Sequence, residues 1–207
     1  MTFDALTRLN RRIEACRICR DAPLGKPLPH EPRPVVRLSA TARILVAGQA
    51  PGLRVHESGV PFDDRSGDRL RDWMGIGRDV FYDVGRIAIL PMGFCFPGYD
   101  STGGDLPPRR ECKAHWHDAI MPGLPRFALT LAIGSYAQAY HFKRAGIIAP
   151  PGGVGGAVAG WRAILASARI MPVPHPSWRN TGWLKKNPWF EADLLPVLRA
   201  EVAAALA

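Results

Sequence analysis

Four cysteines carry a plain chemical signal in this 207-residue chain. Cys16 and Cys19 form a C-x-x-C pair, and Cys95 and Cys112 follow far downstream with 16 residues between them. A C-x-x-C pair presents two thiolates to one metal centre, and two further thiolates complete a set of four. Four thiolates serve zinc and iron-sulfur centres alike, so the spacing leaves three readings open: a zinc site, an iron-sulfur cluster, or four unrelated buried thiols. A redox role is disfavoured, because the pair lacks the strand-to-helix setting of thioredoxin-like motifs. A second group of reactive types sits in residues 44–67, ILVAGQAPGLRVHESGVPFDDRSG. There an apolar run feeds a glycine- and proline-rich loop that holds Gln49, His56, Glu57, Phe62, Asp63 and Asp64. An imidazole titrates near neutrality and suits proton transfer, whereas an amide such as Gln49 does not titrate and can only orient water. The third group is His175-Pro176-Ser177-Trp178-Arg179-Asn180, directly after a short apolar run.

Periodicity predicts the elements that must position these groups. Leu6, Leu9, Ile13 and Cys16 fall at helical spacing over residues 3–17, which places Cys16 on the apolar face of an amphipathic helix. Residues 21–42 hold five prolines and read as an extended surface loop. Ile44-Leu45-Val46-Ala47 is short and uninterrupted, as expected for a strand buried on both faces of a parallel sheet. The loop after such a strand is where open α/β sheets bind ligands; the plainer alternative is an ordinary strand-to-loop transition. A helix is predicted from Ser66, as its cap, to about Met74, and a second strand over 85–90. Residues 91–110 are irregular and contain Cys95, and an irregular segment of that length is usually functional or tied down. A helix over 111–124, a strand over 127–133, a helix over 136–145, a glycine-rich loop over 146–160, a strand over 170–174 and a helix over 189–206 complete the chain. The alternation predicts one domain, residues 1–207, with a parallel sheet sandwiched between helices.

Composition narrows the partners. A hydrophobic share of 47% with 22% charged residues is ordinary for a globular protein. No apolar run approaches the ~20 residues that span a bilayer, so no membrane partner is expected. Met1 to Arg20 lacks the apolar core of a signal peptide, which makes the cytoplasm the expected location and keeps the thiols reduced. The net charge of +9 favours a polyanionic partner such as DNA or RNA.

With these pieces placed, the chain resembles the uracil-DNA glycosylase superfamily, most closely its iron-sulfur branch, family 4. Gly48-Gln49-Ala50-Pro51-Gly52 is similar to the branch's first motif, G-E-A-P-G. Pro61-Phe62 and Arg65-Ser66-Gly67 are similar to the P-F-x-G-R-S-G that follows it. His175-Pro176-Ser177 resembles the second motif, H-P-S, and Cys16, Cys19, Cys95 and Cys112 fit the branch's cluster pattern. Four departures stand out. Gln49 replaces a glutamate, and His56 is in register with an aspartate of the branch. Pro91 occupies the position of the asparagine that reads the uracil edge, and Asp63-Asp64 replaces a small or apolar pair.

The resemblance implies a three-layer α/β/α fold around a four-stranded parallel sheet, and a monomeric base-excision repair hydrolase, cytoplasmic and on the nucleoid when bound, that flips uracil out of single- or double-stranded DNA and cleaves its N-glycosidic bond. It implies a 4Fe-4S cluster on Cys16, Cys19, Cys95 and Cys112 in preference to structural zinc. Gly48, Gln49, Ala50, Phe62 and His175 would contact uracil, with Phe62 as the stacking platform and His175 as hydrogen-bond donor to the leaving base. Gln49, His56 or Asp63 would orient or activate water, with Asp64 and Glu57 as alternatives. Ser177, Trp178, Arg179 and Asn180 would enter the minor groove, and Arg65, Ser66, Lys185 and Lys186 would meet phosphates. Two other readings stay open: a glycosylase of the same fold acting on hypoxanthine, xanthine or mispaired thymine, and a DNA-binding protein that is non-catalytic or traps its substrate.

Overall fold

The computed structural model describes residues 3–207; Met1 and Thr2, the start of the expected 1–207 domain, lie outside them. Four apolar runs form strands β1 (Ile44–Ala47), β2 (Ile87–Ile89), β3 (Leu129–Ile133) and β4 (Ile170–Val173). They pair in the order β2-β1-β3-β4, and every pairing is parallel. Ile44 is level with Ile87 on one side and Leu129 on the other, and Thr130 is level with Ile170.

Side chains alternate across a strand, so a sheet covered on both faces must feed two cores. Leu45, Ala47 and Ala132 pack into one apolar cluster; Ile44, Val46, Leu129, Leu131 and Ile133 pack into the other. Burying one such aliphatic side chain contributes roughly 1.5 to 3 kcal/mol. The first cluster is covered by α1 (Phe3–Glu14), through Leu6, Leu9 and Ile13, and by Trp116 and Ile120. The second is covered by Leu70, Trp73 and Met74 and by the C-terminal helix, whose Leu198 and Val202 are fully buried. The result is the three-layer α/β/α sandwich expected of the sequence.

Shorter helices fill the connections. α2 (Ile18–Asp21) follows α1; α3 (Leu53–Ser58) and α4 (Arg65–Met74) follow β1, and α5 (Arg78–Tyr82) precedes β2. The expected helix over 111–124 is broken into α6 (Arg110–Cys112), a π turn (Lys113–His117), α7 (Asp118–Ile120) and a 3₁₀ turn. β3 runs straight into α8 (Gly134–Ala145), and α11 (Thr181–Lys186) precedes a π turn (Phe190–Leu194) that opens α12 (Leu195–Leu206).

Three expectations are corrected. Ser66 does not cap α4: Asp64 does, accepting the Gly67 amide at 2.8 Å, and Ser66 lies inside the first turn. Residues 146–160 are not all loop, because α9 (Gly153–Ala159) crosses them and α10 (Trp161–Ala168) follows. Packing overrides the low helix propensity of glycine there, with Ala157 and Val158 buried and no room at Gly156 for a Cβ, which would stand 1.7 Å from the Pro151 carbonyl. The proline-rich segment 21–42 does more than cross the surface. β2 is an edge strand, and Arg37 pairs with Ile89 through two backbone hydrogen bonds of 2.9 and 2.8 Å, covering that edge.

Candidate active site

In the order β2-β1-β3-β4 the connection after β1 runs one way, to β2, and the connection after the adjacent β3 runs the other way, to β4, and open α/β sheets bind ligands at the carboxyl ends beside such a switch. A cleft of about 910 Å³ lies there. Gly48 to Gly52 line it after β1, Ile89 at the end of β2 and Pro91 after it, and His175, Ser177, Trp178 and Arg179 after β4. Phe62 and Arg65 close one side, and a hairpin-like turn from Tyr99 to Asp105 closes the other.

Phe62 is held in an unusual backbone state. Its φ is 55°, a left-handed conformation that a bulky residue adopts only when its surroundings enforce it. Its carbonyl accepts hydrogen bonds from Arg71 Nη1 at 3.2 Å and from the Tyr82 hydroxyl at 3.2 Å. Gly67 makes this possible, since a Cβ there would sit 1.8 Å from the Phe62 carbonyl oxygen. Phe81 meets the Phe62 ring edge to face at 6.0 Å. The ring thereby lies against Gly48, with Cζ 3.5 Å from where a Gly48 Cβ would be. A flat aromatic face and bare backbone thus share one wall of the cleft.

His175 follows β4 directly. The backbone N–H of Ser177 donates to its Nδ1 at 3.2 Å. An amide N–H can only donate, so Nδ1 carries no proton and the neutral ring bears its proton on Nε2. Burial pulls the imidazole below its ordinary pKa and holds it neutral; Asp64 and Asp105 oppose this shift and Arg179 reinforces it. Asn180 Nδ2 donates to the His175 carbonyl at 2.7 Å, and Arg69 Nη1 donates to the Ser177 carbonyl at 3.1 Å. The turn is therefore braced from both sides, and it offers the cleft a fixed N–H donor. Beyond it Trp178 is 76% exposed, with the Arg179 guanidinium over its ring at 5.9 Å.

A family model described as the uracil DNA glycosylase superfamily matches residues 36–199, which include all four strands, Phe62 and His175. The chain belongs to the uracil DNA glycosylase superfamily. It is accordingly a DNA glycosylase, a DNA-binding hydrolase of DNA repair. The match takes in Cys95 and Cys112 and begins after Cys16 and Cys19.

Within this uracil DNA glycosylase superfamily domain, the cleft gathers many of the residues singled out from sequence: Gly48, Gln49, Ala50, Phe62, Arg65, Ser66, His175, Ser177, Trp178 and Arg179. Others stand elsewhere. His56 lies outside the cleft lining, its ring packed 4.4 Å from that of His30 and 6.3 Å from that of Phe96. Burial and His30 lower its pKa, and its Nδ1 is buried without a partner. Asp63 also stands outside the lining, paired with Arg78 at 3.0 Å. Asp64 lines the cleft and gives its Oδ1 to the α4 cap. Glu57 is exposed on α3, and its carbonyl takes Arg33 Nη1 at 2.7 Å. Asn180 braces His175 instead of lining the cleft, and Lys185 and Lys186 are exposed on α11.

Several cleft or near-cleft residues escaped sequence reasoning, Asp100 and Thr102 among them. Asp105, Tyr99 and Arg54 line the cleft, and Arg69 supports the His175 turn. For Tyr99 and Asp105 nothing in the local pattern marks the facing, since the irregular segment 91–110 has no periodicity; Arg54 and Arg69 are charged positions on α3 and α4.

The cysteines come together. Cys16, Cys19, Cys95 and Cys112 line one small hollow with Pro32, Pro34, Phe94 and Arg109. Among the described residues no three cysteine, histidine or carboxylate groups are placed to hold a single metal ion. Two N–H groups point at the sulfurs: the Phe94 amide donates to Cys112 Sγ at 3.3 Å, and Trp116 Nε1 donates to Cys16 Sγ at 3.3 Å. Burial pushes the Cys19 thiol up to about 11 and Cys95 up to about 12, and raises Cys112 well above its ordinary value.

Proposed function

We propose that this glycosylase removes uracil from DNA, acting as a monomer on a base flipped out of the stack. The observation that carries the reading is the pairing, in one cleft, of Phe62 laid against Gly48 with a His175 ring whose proton is fixed on Nε2. Flipping costs a few kcal/mol, and stacking on an aromatic ring returns about 1 to 3 kcal/mol per base. As the bond from C1′ to N1 breaks, the base leaves with the bonding electron pair and negative charge builds on its O2. The Nε2–H of a neutral imidazole can donate to that oxygen, and one such preorganised donor is worth about 2.7 to 4 kcal/mol. Arg65 and Ser66, in the first turn of α4, suit a flanking phosphate, and exposed Trp178 suits the gap left in the duplex.

Cys16, Cys19, Cys95 and Cys112 would hold a 4Fe-4S cluster. The four thiols line one hollow, as ligands to a single thiolate-held centre must. Two N–H donors to sulfur suit thiolates, the form a thiol takes once a metal has displaced its proton. When bound, such a cluster cross-links the N-terminal helices to the segment that carries the hairpin; the hydrolysis itself is redox-neutral.

One observation favours a second reading, a glycosylase for hypoxanthine, xanthine or mispaired thymine. Pro91 stands at the position of the uracil-reading asparagine, and Gln49 is the one carboxamide among the described residues of the cleft lining. Base release from duplexes that differ only in carrying uracil, hypoxanthine, xanthine or a G·T mismatch tests both. Release of uracil above the others supports the proposal, and release of a purine or of thymine without uracil replaces it with the second reading.

A further inference from the structure

Three carboxylates line the cleft: Asp64, Asp100 and Asp105. Two are engaged. Asp64 caps α4 through the Gly67 amide at 2.8 Å, and Asp100 Oδ1 accepts from the Thr102 amide, the Thr102 hydroxyl and the Gly104 amide at 2.8 to 2.9 Å. Asp105 makes no side-chain hydrogen bond and no ion pair among the described residues. Its placement is nevertheless fixed. Tyr99 and Asp105 form an antiparallel bridge, the Leu106 amide donates to the Gly98 carbonyl at 2.9 Å, and Gln49 Nε2 reaches the Leu106 carbonyl at 3.4 Å. The carboxylate faces the loop after β1, with Oδ2 3.8 Å from where a Gly52 Cβ would lie. His175 and Arg179 are close enough to act on its charge.

We propose that Asp105 is the catalytic residue that orients and deprotonates the attacking water. The inference rests on the glycosylase reading and assigns a step that the groups after β1 leave open. Gln49 cannot take a proton, His56 and Asp63 stand outside the cleft, and Asp64 is held against its helix by the cap hydrogen bond to Oδ1. In the step, the C1′–N1 electron pair departs with the base while His175 Nε2–H donates to the base oxygen. The water oxygen bonds to C1′ and passes one proton to an Asp105 oxygen. The base anion is protonated from solvent on release, and Asp105 returns its proton to solvent. Although the residue is exposed at the hairpin's edge, the cleft withdraws its carboxyl from water enough to raise its pKa, against Arg179 and His175. A raised pKa makes the carboxylate a stronger base.

The test compares wild type, Asp105→Asn and Asp105→Ala in single-turnover base release, with binding to a duplex holding a tetrahydrofuran abasic site measured alongside. Both variants are expected to lose at least about 100-fold in rate with binding changed less than about threefold. Formate should restore part of the rate to Asp105→Ala and none to His175→Ala. A rate within about threefold of wild type in Asp105→Asn, or a binding loss as large as the rate loss, overturns the assignment while leaving the glycosylase reading intact. A wild type that releases no base from any of the duplexes overturns both.

Discussion

His117 Nε2 lies 3.1 Å from the carbonyl oxygen of Pro91, at the carboxyl end of β2 and in the wall of the cleft. The imidazole is fully buried, and it is the last residue of the π turn that follows Cys112. Its neighbour Trp116 in the same turn donates to Cys16 Sγ. One turn of helix thus braces the cysteine hollow with one residue and the cleft with the next, a use in keeping with the frequency of π turns at functional sites. His117→Phe strips the buried Pro91 carbonyl of its donor and should cost about 1 to 3 kcal/mol in urea denaturation. His117→Gln, which restores an N–H, should recover part of that loss. Equal losses in the two variants would mean that the hydrogen bond is not what the site depends on.

Gly67 permits the left-handed Phe62. A methyl group there would stand 1.8 Å from the Phe62 carbonyl oxygen, and neither backbone can yield cheaply. Gly67→Ala should lower the melting temperature, and it should weaken binding to an abasic-site duplex more than Phe62→Leu does, because the whole 61–67 turn must shift. Wild-type binding in Gly67→Ala would show that the position of Phe62 is not set by this contact.

Asp64 and Ser66 compete for the start of α4, and the hydrogen bonds assign it to Asp64. Asp64→Ala should destabilise by roughly 1 kcal/mol, the usual worth of an N-cap, and Asp64→Asn by much less. Ser66→Ala should leave stability within about 0.5 kcal/mol of wild type. Denaturant midpoints at constant slope read all three.

Acid should unfold the protein partly through its buried histidines. Burial holds His117 and His141 at about 4, against an ordinary value of 6.5. The unfolded chain takes up protons as pH falls through 6.5, and the folded chain does not until about 4, so stability is full above that window and is lost across it. The steepest slope is about 1.4 kcal/mol per pH unit for each histidine. His141→Phe, which removes a ring whose Nε2 is buried without a partner, should flatten the acid side of a plot of stability against pH. A curve parallel to wild type would assign the acid sensitivity to other groups.

The sheet was legible because burial on both faces writes itself as short apolar runs, and β1 is found where Ile44-Leu45-Val46-Ala47 predicts it. Loop chemistry was legible where a motif has fixed spacing, as at Gly48 to Gly52 and at His175 to Ser177. It failed where facing depends on tertiary contacts. His56 has the right residue type, yet α3, a helix unforeseen between Leu53 and Ser58, turns it toward His30 and Phe96. Asp105 has the right place with no local pattern to announce it, because the bridge to Tyr99 that presents it joins residues within an irregular segment. The glycine-rich 146–160 region hides its helix for a related reason: the helix is stabilised by burial of Ala157 and Val158, which propensity does not record.

The central claim is that His175, held with its proton on Nε2, drives uracil release in the cleft at the end of the sheet. Single-turnover release of free uracil from a U-containing duplex, by wild type and His175→Ala side by side, tests it most directly. The account predicts release by wild type and a rate about 100- to 1,000-fold lower in His175→Ala, with abasic-site binding retained. No uracil released by excess wild-type enzyme, or an unchanged rate in His175→Ala, would contradict it.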